Sequence, residues 1–596
     1  MSTVEAARAR AERLVVAAAA AVERLRLAGP HIGEDQLFLL LAVVIGVLAG
    51  LLVVCFRVAI EASRVALLGS SLAPGLPRVI LAPVLTGLAA AALLRWVFPL
   101  ARGSGINQTK AALYIYDGRI PPQAVVGKFL SCVLSIGGGH SLGPEDPSLQ
   151  IGAGLASSAG RALRLSRDRL RLVAPVGAAA GIAAAFNTPI TGVLFVIEEV
   201  IGRWSAGILG SVILSAVSAV IVERWFLGAE PLFRVPEYEL RHPAELLAYA
   251  ALGIAGGVAS ILFVKWITFL RPKVQKLPPR SRLFQPALAG LLIGVVGLGF
   301  PQIMGAGYEH VDLALHEQYG LSLLLALAVL KILATGLSHA SGTPGGLFAP
   351  TLFIGAMVGT AVGDAAHALL PDLPAAEGAY GLVGMGALFA GILRAPMTSF
   401  FMMLEVSGNY SIILPVMISN TIAYLISRSF QPVPLLDVVA RQEGLHLPSL
   451  EEERERDAVC VEDAMRPPRG TLFEAQMSVG AAFAELRSSG QSFALVGRGA
   501  DWGGLGRDHL QALVEAGRGD EPLADVLPEA LLPTLHADQP LDEALRRIHG
   551  WPLLPVVHRA DLGRLIGVVS LADIVEAYRR EQVHASVGGR AASPTR

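Results

Sequence analysis

Long apolar runs, broken at intervals by glycine and proline, fill this chain up to about residue 440 and then stop. Three of them, LFLLLAVVIGVLAGLLVVCF (37–56), VILAPVLTGLAAAALLRWVF (79–98) and LLAYAALGIAGGVASILFV (246–264), reach or approach the roughly 20 residues that a spanning helix needs. Several others are shorter and interrupted. The pattern predicts a polytopic α-helical membrane domain over 36–440. Ahead of it, residues 1–35 form an amphipathic, arginine-studded pattern without the basic start, apolar core and small-residue cleavage order of a signal peptide. It is expected to stay as a helix on the cytoplasmic surface. After ARQEGLHLPSLEEERERD the composition becomes that of a soluble α/β segment. The expected order is a linker over 441–456, an α/β region over 457–580 and a disordered tail over 581–596.

Composition agrees with this division. Of 596 residues 53% are hydrophobic and only 16% charged, too apolar for an ordinary soluble protein and too long for one domain. A net charge of −1 gives no reason to expect nucleic acid as a partner. Cys55, Cys132 and Cys460 are scattered, with no metal-ligand spacing and no disulfide framework.

The membrane part repeats itself. Pro83, Leu85 and Gly87 recur as Pro286, Leu288 and Gly290, a spacing of 203; Lys128, Ser135, Pro147 and Ile151-Gly152-Ala153 recur at the same spacing as Lys331, Ser338, Pro350 and Ile354-Gly355-Ala356. Phe98-Pro99 and Gly103-Ser104-Gly105 return as Phe300-Pro301 and Gly305-Ala306-Gly307, and Pro189, Thr191 and Glu198 as Pro396, Thr398 and Glu405. Two copies of one unit, about 36–230 and 243–430, are expected. Repeats whose helices are interrupted at matching positions point to a transport site at the bilayer midplane, because unwound backbone is tolerated there only where it lines a cavity or is buried in protein. A helix beginning at that depth offers unpaired N–H groups and the positive end of its dipole to an anion. GSGI (103–106), GPEDP (143–147) and GGLFAP (345–350) fit that description.

Glu145 and Asp146 could be ordinary helix-start acids behind Pro144. At membrane depth, however, a carboxylate is expensive and is a functional candidate by default. Helix polarity favours its charged form and desolvation opposes it, so a glutamate held between the two effects is able to take up and release protons.

Taken together, GSGI, GPEDPSLQIGA, GGLFAP and AAFNTPITGVLFVIEE resemble the CLC chloride channels and chloride/proton antiporters. The resemblance implies two inverted-topology halves with broken helices, a separate pore in each subunit of a homodimer, and chloride and proton as the transported species. It makes Glu145 the gating glutamate and Glu199 the internal proton glutamate. An anion would be bound by the Ser104 hydroxyl within Ser104-Gly105-Ile106, with backbone N–H groups of Leu347 and Phe348. Serine at 104 argues for chloride over nitrate. Antiport is the expected activity, and a passive chloride channel of the same fold is the alternative.

Four positions depart from the family pattern. Asp146 stands where glycine is usual, Pro144 where lysine or arginine is usual, and Asn107 where proline follows GSGI; weaker anion attraction at the outer mouth is expected. The family's pore tyrosine aligns with Leu436 in PVPLLDVV (432–439), which cannot donate a hydrogen bond. Glu198, which recurs as Glu405, is assigned a structural role.

Residues 457–580 contain two related units, opening at VEDAM (461–465) and LADVL (523–527). They resemble a pair of CBS modules. In the second unit Ser570 and Asp573 of GVVSLAD match the positions that contact phosphate and ribose, so adenine nucleotide is the candidate cofactor. The first unit has GLGRDHL there, and a packing module without ligand is the preferred reading. A membrane protease is excluded because HEQYG (316–320) lacks the second histidine of HExxH. Neither enzymatic activity nor a metal is expected. The expected location is the cell membrane, a prokaryotic inner membrane, with both termini cytoplasmic.

Overall fold

A computed structural model describes residues 34–590 except 71–74, 203–205, 234–242, 244, 370–376, 446, 448–458, 469–471, 500, 529–530 and 559–560. The N-terminal amphipathic segment and most of the linker lie outside the described residues. The chain divides into two compact units, Met1–Pro448 and Ser449–Arg596.

The first unit is helical. Its leading repeat contains α1 (Glu34–Leu67), α2 (Leu76–Ala92), α3 (Gly105–Tyr114), α4 (Pro122–Gly137), α5 (Glu145–Ala162), α6 (Arg167–Phe186), α7 (Pro189–Phe195) and α8 (Ala206–Leu227). The second contains α9 (Glu245–Gln275), α10 (Gln285–Gly297), α11 (Tyr308–Leu315), α12 (Leu321–Ala340), α13 (Phe348–Leu369), α14 (Glu377–Leu393), α15 (Pro396–Ser407) and α16 (Ile413–Phe430). A last short helix, α17 (Leu435–Gln442), follows. Among the described residues eight helices are long and apolar enough to cross a membrane. The two repeats set out matching helices in the same order, and this is a polytopic helical membrane protein.

Matched residues make matched contacts across the two halves. A β-carbon on Gly87 would lie 2.8 Å from the Pro286 carbonyl oxygen, and one on Gly290 would lie 2.4 Å from that of Pro83, so α2 and α10 cross at backbone contact. The same holds within each repeat, where a β-carbon on Gly152 would lie 2.2 Å from the Gly177 carbonyl oxygen and one on Gly355 2.5 Å from that of Gly384. Without a hydrophobic drive between helices in lipid, such close backbone packing is what holds α5 on α6 and α13 on α14.

Two glutamates join the repeats reciprocally. Glu198 accepts hydrogen bonds from Thr398 N and Oγ1, both at 2.8 Å, at the start of α15. Glu405 accepts from Thr191 N at 2.7 Å and Oγ1 at 2.6 Å at the start of α7. Each caps the other half's helix, satisfying N–H groups that a first turn leaves unpaired.

The second unit holds two α/β halves. In the first, β1 (Leu472–Phe473), β2 (Phe493–Arg498) and β3 (Asp501–Gly506) form a sheet in that order, flanked by α18 (Val479–Ser489) and α19 (Arg507–Glu515). In the second, β4 (Leu553–His558) pairs antiparallel with β5 (Asp561–Ser570), flanked by α20 (Leu541–Arg547) and α21 (Leu571–Arg590). Phe493, Leu495, Trp502, Leu532, Val557 and Val568 bury one apolar cluster between the two hairpins. The final helix runs to Arg590 rather than giving way to a tail at 581, because no glycine or proline interrupts the chain before Gly588.

Candidate functional site

Three interrupted helices begin close together in the first unit. Gly103, at φ 88°, turns the chain so that Ser104 becomes the residue preceding α3. Lys128 fixes that turn by donating from Nζ to the Gly103 carbonyl at 2.6 Å. Its counterpart Lys331 donates to the Ile303 and Gly305 carbonyls at 2.9 and 2.8 Å. The loops entering α5 and α13 are tied in a two-residue antiparallel bridge, with Gly143 N donating to Gly346 O at 2.8 Å and Gly346 N to Gly143 O at 2.7 Å. This bridge brings the starts of α5 and α13 together.

Ser104, Ile106, Leu347, Phe348 and Leu436 line one cavity of about 10 Å³, and Asp146 lines it with them. Gly105 packs against the Asp146 carbonyl from the first turn of α3. The sequence placed Asp146 at an outer mouth; its carboxylate instead turns toward α3. Ile106 N donates to Asp146 Oδ1 at 2.7 Å, and the Ser104 hydroxyl lies 3.4 and 3.3 Å from its two oxygens. The side chain that a local helix-start reading keeps on α5 therefore serves the N-terminus of a different helix.

Glu145 points elsewhere. It is fully buried, and its Oε2 accepts from Ala349 N at 3.3 Å in the first turn of α13. Its Oε1 is buried with no hydrogen-bond partner among the described residues. The backbone amides of Ala349 and of Glu145 itself are thin compensation for a buried carboxylate.

Two arginines from another helix share the approach past Pro144. Pro144 shares the wall of a cavity of about 810 Å³ with Arg57 and Arg64 of α1. Arg57 is paired with Glu223 at 2.9 Å, and Arg64 with Glu61 at 2.7 Å. Each arginine is matched by an acid, so α1 brings no net positive charge to this approach.

Glu199 lies in a π-helical turn, Val196–Ile201, that continues α7. Such turns recur at functional sites. Here consecutive glutamates part company: Glu198 caps α15, whereas Glu199, 3% exposed, accepts a hydrogen bond from Lys110 Nζ. Asp437 Oδ1 is 3.9 Å from the same ammonium. Lys110 was not singled out from the sequence, although a lysine four residues after GSGI, in an apolar stretch, was the available signal. Leu436 lines the cavity beside Ser104, and its carbonyl accepts from Asn107 Nδ2 at 3.0 Å. The two departures from the family pattern, Asn107 and Leu436, are therefore bonded to each other.

In the second unit, Ser570 Oγ donates to Asp573 Oδ2 at 2.6 Å, closing the start of α21. Arg466 joins them, 2.6 Å from Asp573 Oδ1 and 3.2 Å from Ser570 Oγ.

Repeated membrane helices interrupted at matching places, with α3 and α13 beginning at one small buried cavity, mark an ion-transport protein. The chain belongs to the CLC family: the profile of the voltage gated chloride channel family matches residues 86–428, and that of the CBS domain matches residues 528–580. It is 35% identical over 352 residues to a putative chloride channel protein ClcB-like of Ralstonia nicotianae, covering 58% of this chain and 81% of that one. It is 35% identical over 399 residues to the H(+)/Cl(−) exchange transporter ClcA of Vibrio vulnificus, covering 64% of this chain and 84% of that one. The structure of a slow cyanobacterial Cl−/H+ antiporter superposes with a TM-score of 0.63 at 26% identity, covering 70% of this chain and 99% of that one.

Proposed function

We propose that this protein exchanges chloride for protons across the cell membrane, with Glu145 as the gating glutamate and Glu199 as the internal proton glutamate. The observation that carries the reading is Glu145 itself, a buried carboxylate at the start of α13 with one oxygen unsatisfied. A charged Glu145 and a chloride ion compete for the same positively polarised ground, and each raises the free energy of the other's binding. Protonation removes the competitor and lets the side chain leave. Chloride is then held by N–H groups of Leu347 and Phe348 and by the Ser104 hydroxyl, charge-assisted bonds worth about 1.5–3 kcal/mol each. Glu199 delivers the proton by a separate route that begins at the Lys110 and Asp437 cluster. Similarity to the Vibrio exchange transporter supports exchange.

A passive channel is the second reading, and Leu436 is what favours it. An apolar side chain at that position obstructs water without holding an anion, so chloride can slip past without a proton. The deciding experiment uses purified protein in liposomes under an outward chloride gradient. Proton uptake into the liposomes is expected; chloride efflux with no proton movement selects the channel.

The working assembly is a homodimer in the lipid bilayer, each subunit with its own pore and both termini cytoplasmic. The CBS region acts as a packing module. For adenine nucleotide to bind at Ser570 and Asp573 it must first displace Arg466, and the first half offers only Gly506 and His509 at the corresponding places.

A further inference from the structure

The positive end of α3 already holds an anion, and that anion is part of the chain. Asp146 is 6% exposed and takes the Ile106 N–H at 2.7 Å and the Ser104 hydroxyl at 3.3–3.4 Å. Ser104 is the donor assigned above to chloride, and the inference rests on that assignment. The remaining cavity of about 10 Å³ has room for about one water-sized sphere, and a chloride ion is larger than water. Chloride therefore cannot sit beside the Asp146 carboxylate; it has to replace it. Glu145 and Asp146 are consecutive on α5, yet one reaches the first turn of α13 and the other the first turn of α3. Two adjacent acids thus supply anions to two different helix N-termini.

We propose that Asp146 is a second, tethered gate: its carboxylate competes with chloride for the Ser104 site, so the anion enters that site only as Asp146 swings out or takes a proton. A single-acid gate leaves the inner site open whenever Glu145 is neutral. With Asp146 in place, neutralising Glu145 is not enough. The gate also compensates for Leu436, since a carboxylate seated on Ser104 closes the path that a pore hydroxyl would otherwise control. The charged and titratable groups around Asp146 are Glu145 on its own helix, Lys128 and Cys132 on α4, Glu443 just beyond α17 and His339 near the end of α12; Arg271 pairs with Glu443 at 2.6 Å.

Chloride binding to the purified full-length protein, measured by titration calorimetry, tests this. Asp146→Asn keeps the volume and an acceptor for Ile106 N–H, and Asp146→Gly removes the side chain. Both should bind chloride roughly tenfold more tightly than the parent at neutral pH, a coupling of ordinary size. In a Glu145→Gln background, affinity should still rise as pH falls, because a proton on Asp146 frees the site, and adding Asp146→Asn should abolish that slope. Unchanged or weaker binding in both single variants, or an identical slope with and without Asp146, overturns the proposal. Ser104→Ala separates the two layers of argument. If it weakens chloride binding in the Asp146→Asn protein while Asp146→Asn itself gains nothing, the second gate is wrong and the anion site stands. If Ser104→Ala changes nothing in either background, the anion site itself is wrong and the gate falls with it.

Discussion

At Glu145 and Glu199 the same residue type is given different work by its surroundings. Glu145 has two backbone N–H groups and an orphaned oxygen, and Glu199 has the Lys110 ammonium. Glu145→Gln should therefore abolish proton uptake while chloride efflux persists at the lower rate that movement of Asp146 still allows, since a neutral side chain no longer exchanges protons with the path; the liposome assay reads both. Lys110→Met should lower stability by about 3–5 kcal/mol, the cost of leaving a buried charge without its partner. Combining it with Glu199→Gln should recover part of that loss in a thermal melt, and no recovery would mean that the pair is not coupled. Glu145, Glu199 and Ser104 were legible because each stands in a motif whose spacing survives. The destination of Asp146 was not legible. Its partner Ile106 is on another helix, and the reach between them depends on how α3 and α5 approach, which no local pattern encodes. Arg57 was hidden for the same reason.

Among the helices, the periodic recurrence of residues was enough to read two repeats, but not how the copies hold each other. The trans caps supply that. Glu198 and Glu405 sit at equivalent places and each closes the first turn of the other half's short helix. The repeat marked Glu198 as structural; the contact explains why both copies need it. Glu198→Ala and Glu405→Ala should each destabilise the protein by about 1 kcal/mol, the usual worth of a helix cap. Because they share no partner, the double variant should show the sum to within about 0.5 kcal/mol. Chemical denaturation in detergent measures all three, and a large excess over the sum would show that the two halves unfold from this joint together.

On the scale of the molecule, the chain is two units with separate cores, one built from contacts in the first 448 residues and one after them. The cyanobacterial antiporter structure is covered over 99% of its length by 70% of this chain. A protein ending at residue 448 should therefore insert and move chloride in liposomes at a rate within about threefold of the full chain, by the ordinary tolerance of independent domains; loss of transport would assign the second unit a necessary part. The bridge between Gly143 and Gly346 carries a different consequence, for biosynthesis. Those glycines are 203 residues apart, so at about 5–20 residues per second the ribosome needs roughly 10–40 s to supply the second strand after the first has emerged. Until then the newly inserted first half holds Glu145 without its Ala349 contact. A half-made chain thus holds a carboxylate in the membrane without its helix-start partner, and the lifetime of that state is set by translation speed. Slowing elongation between the two glycine codons should raise the share of chains degraded before completion.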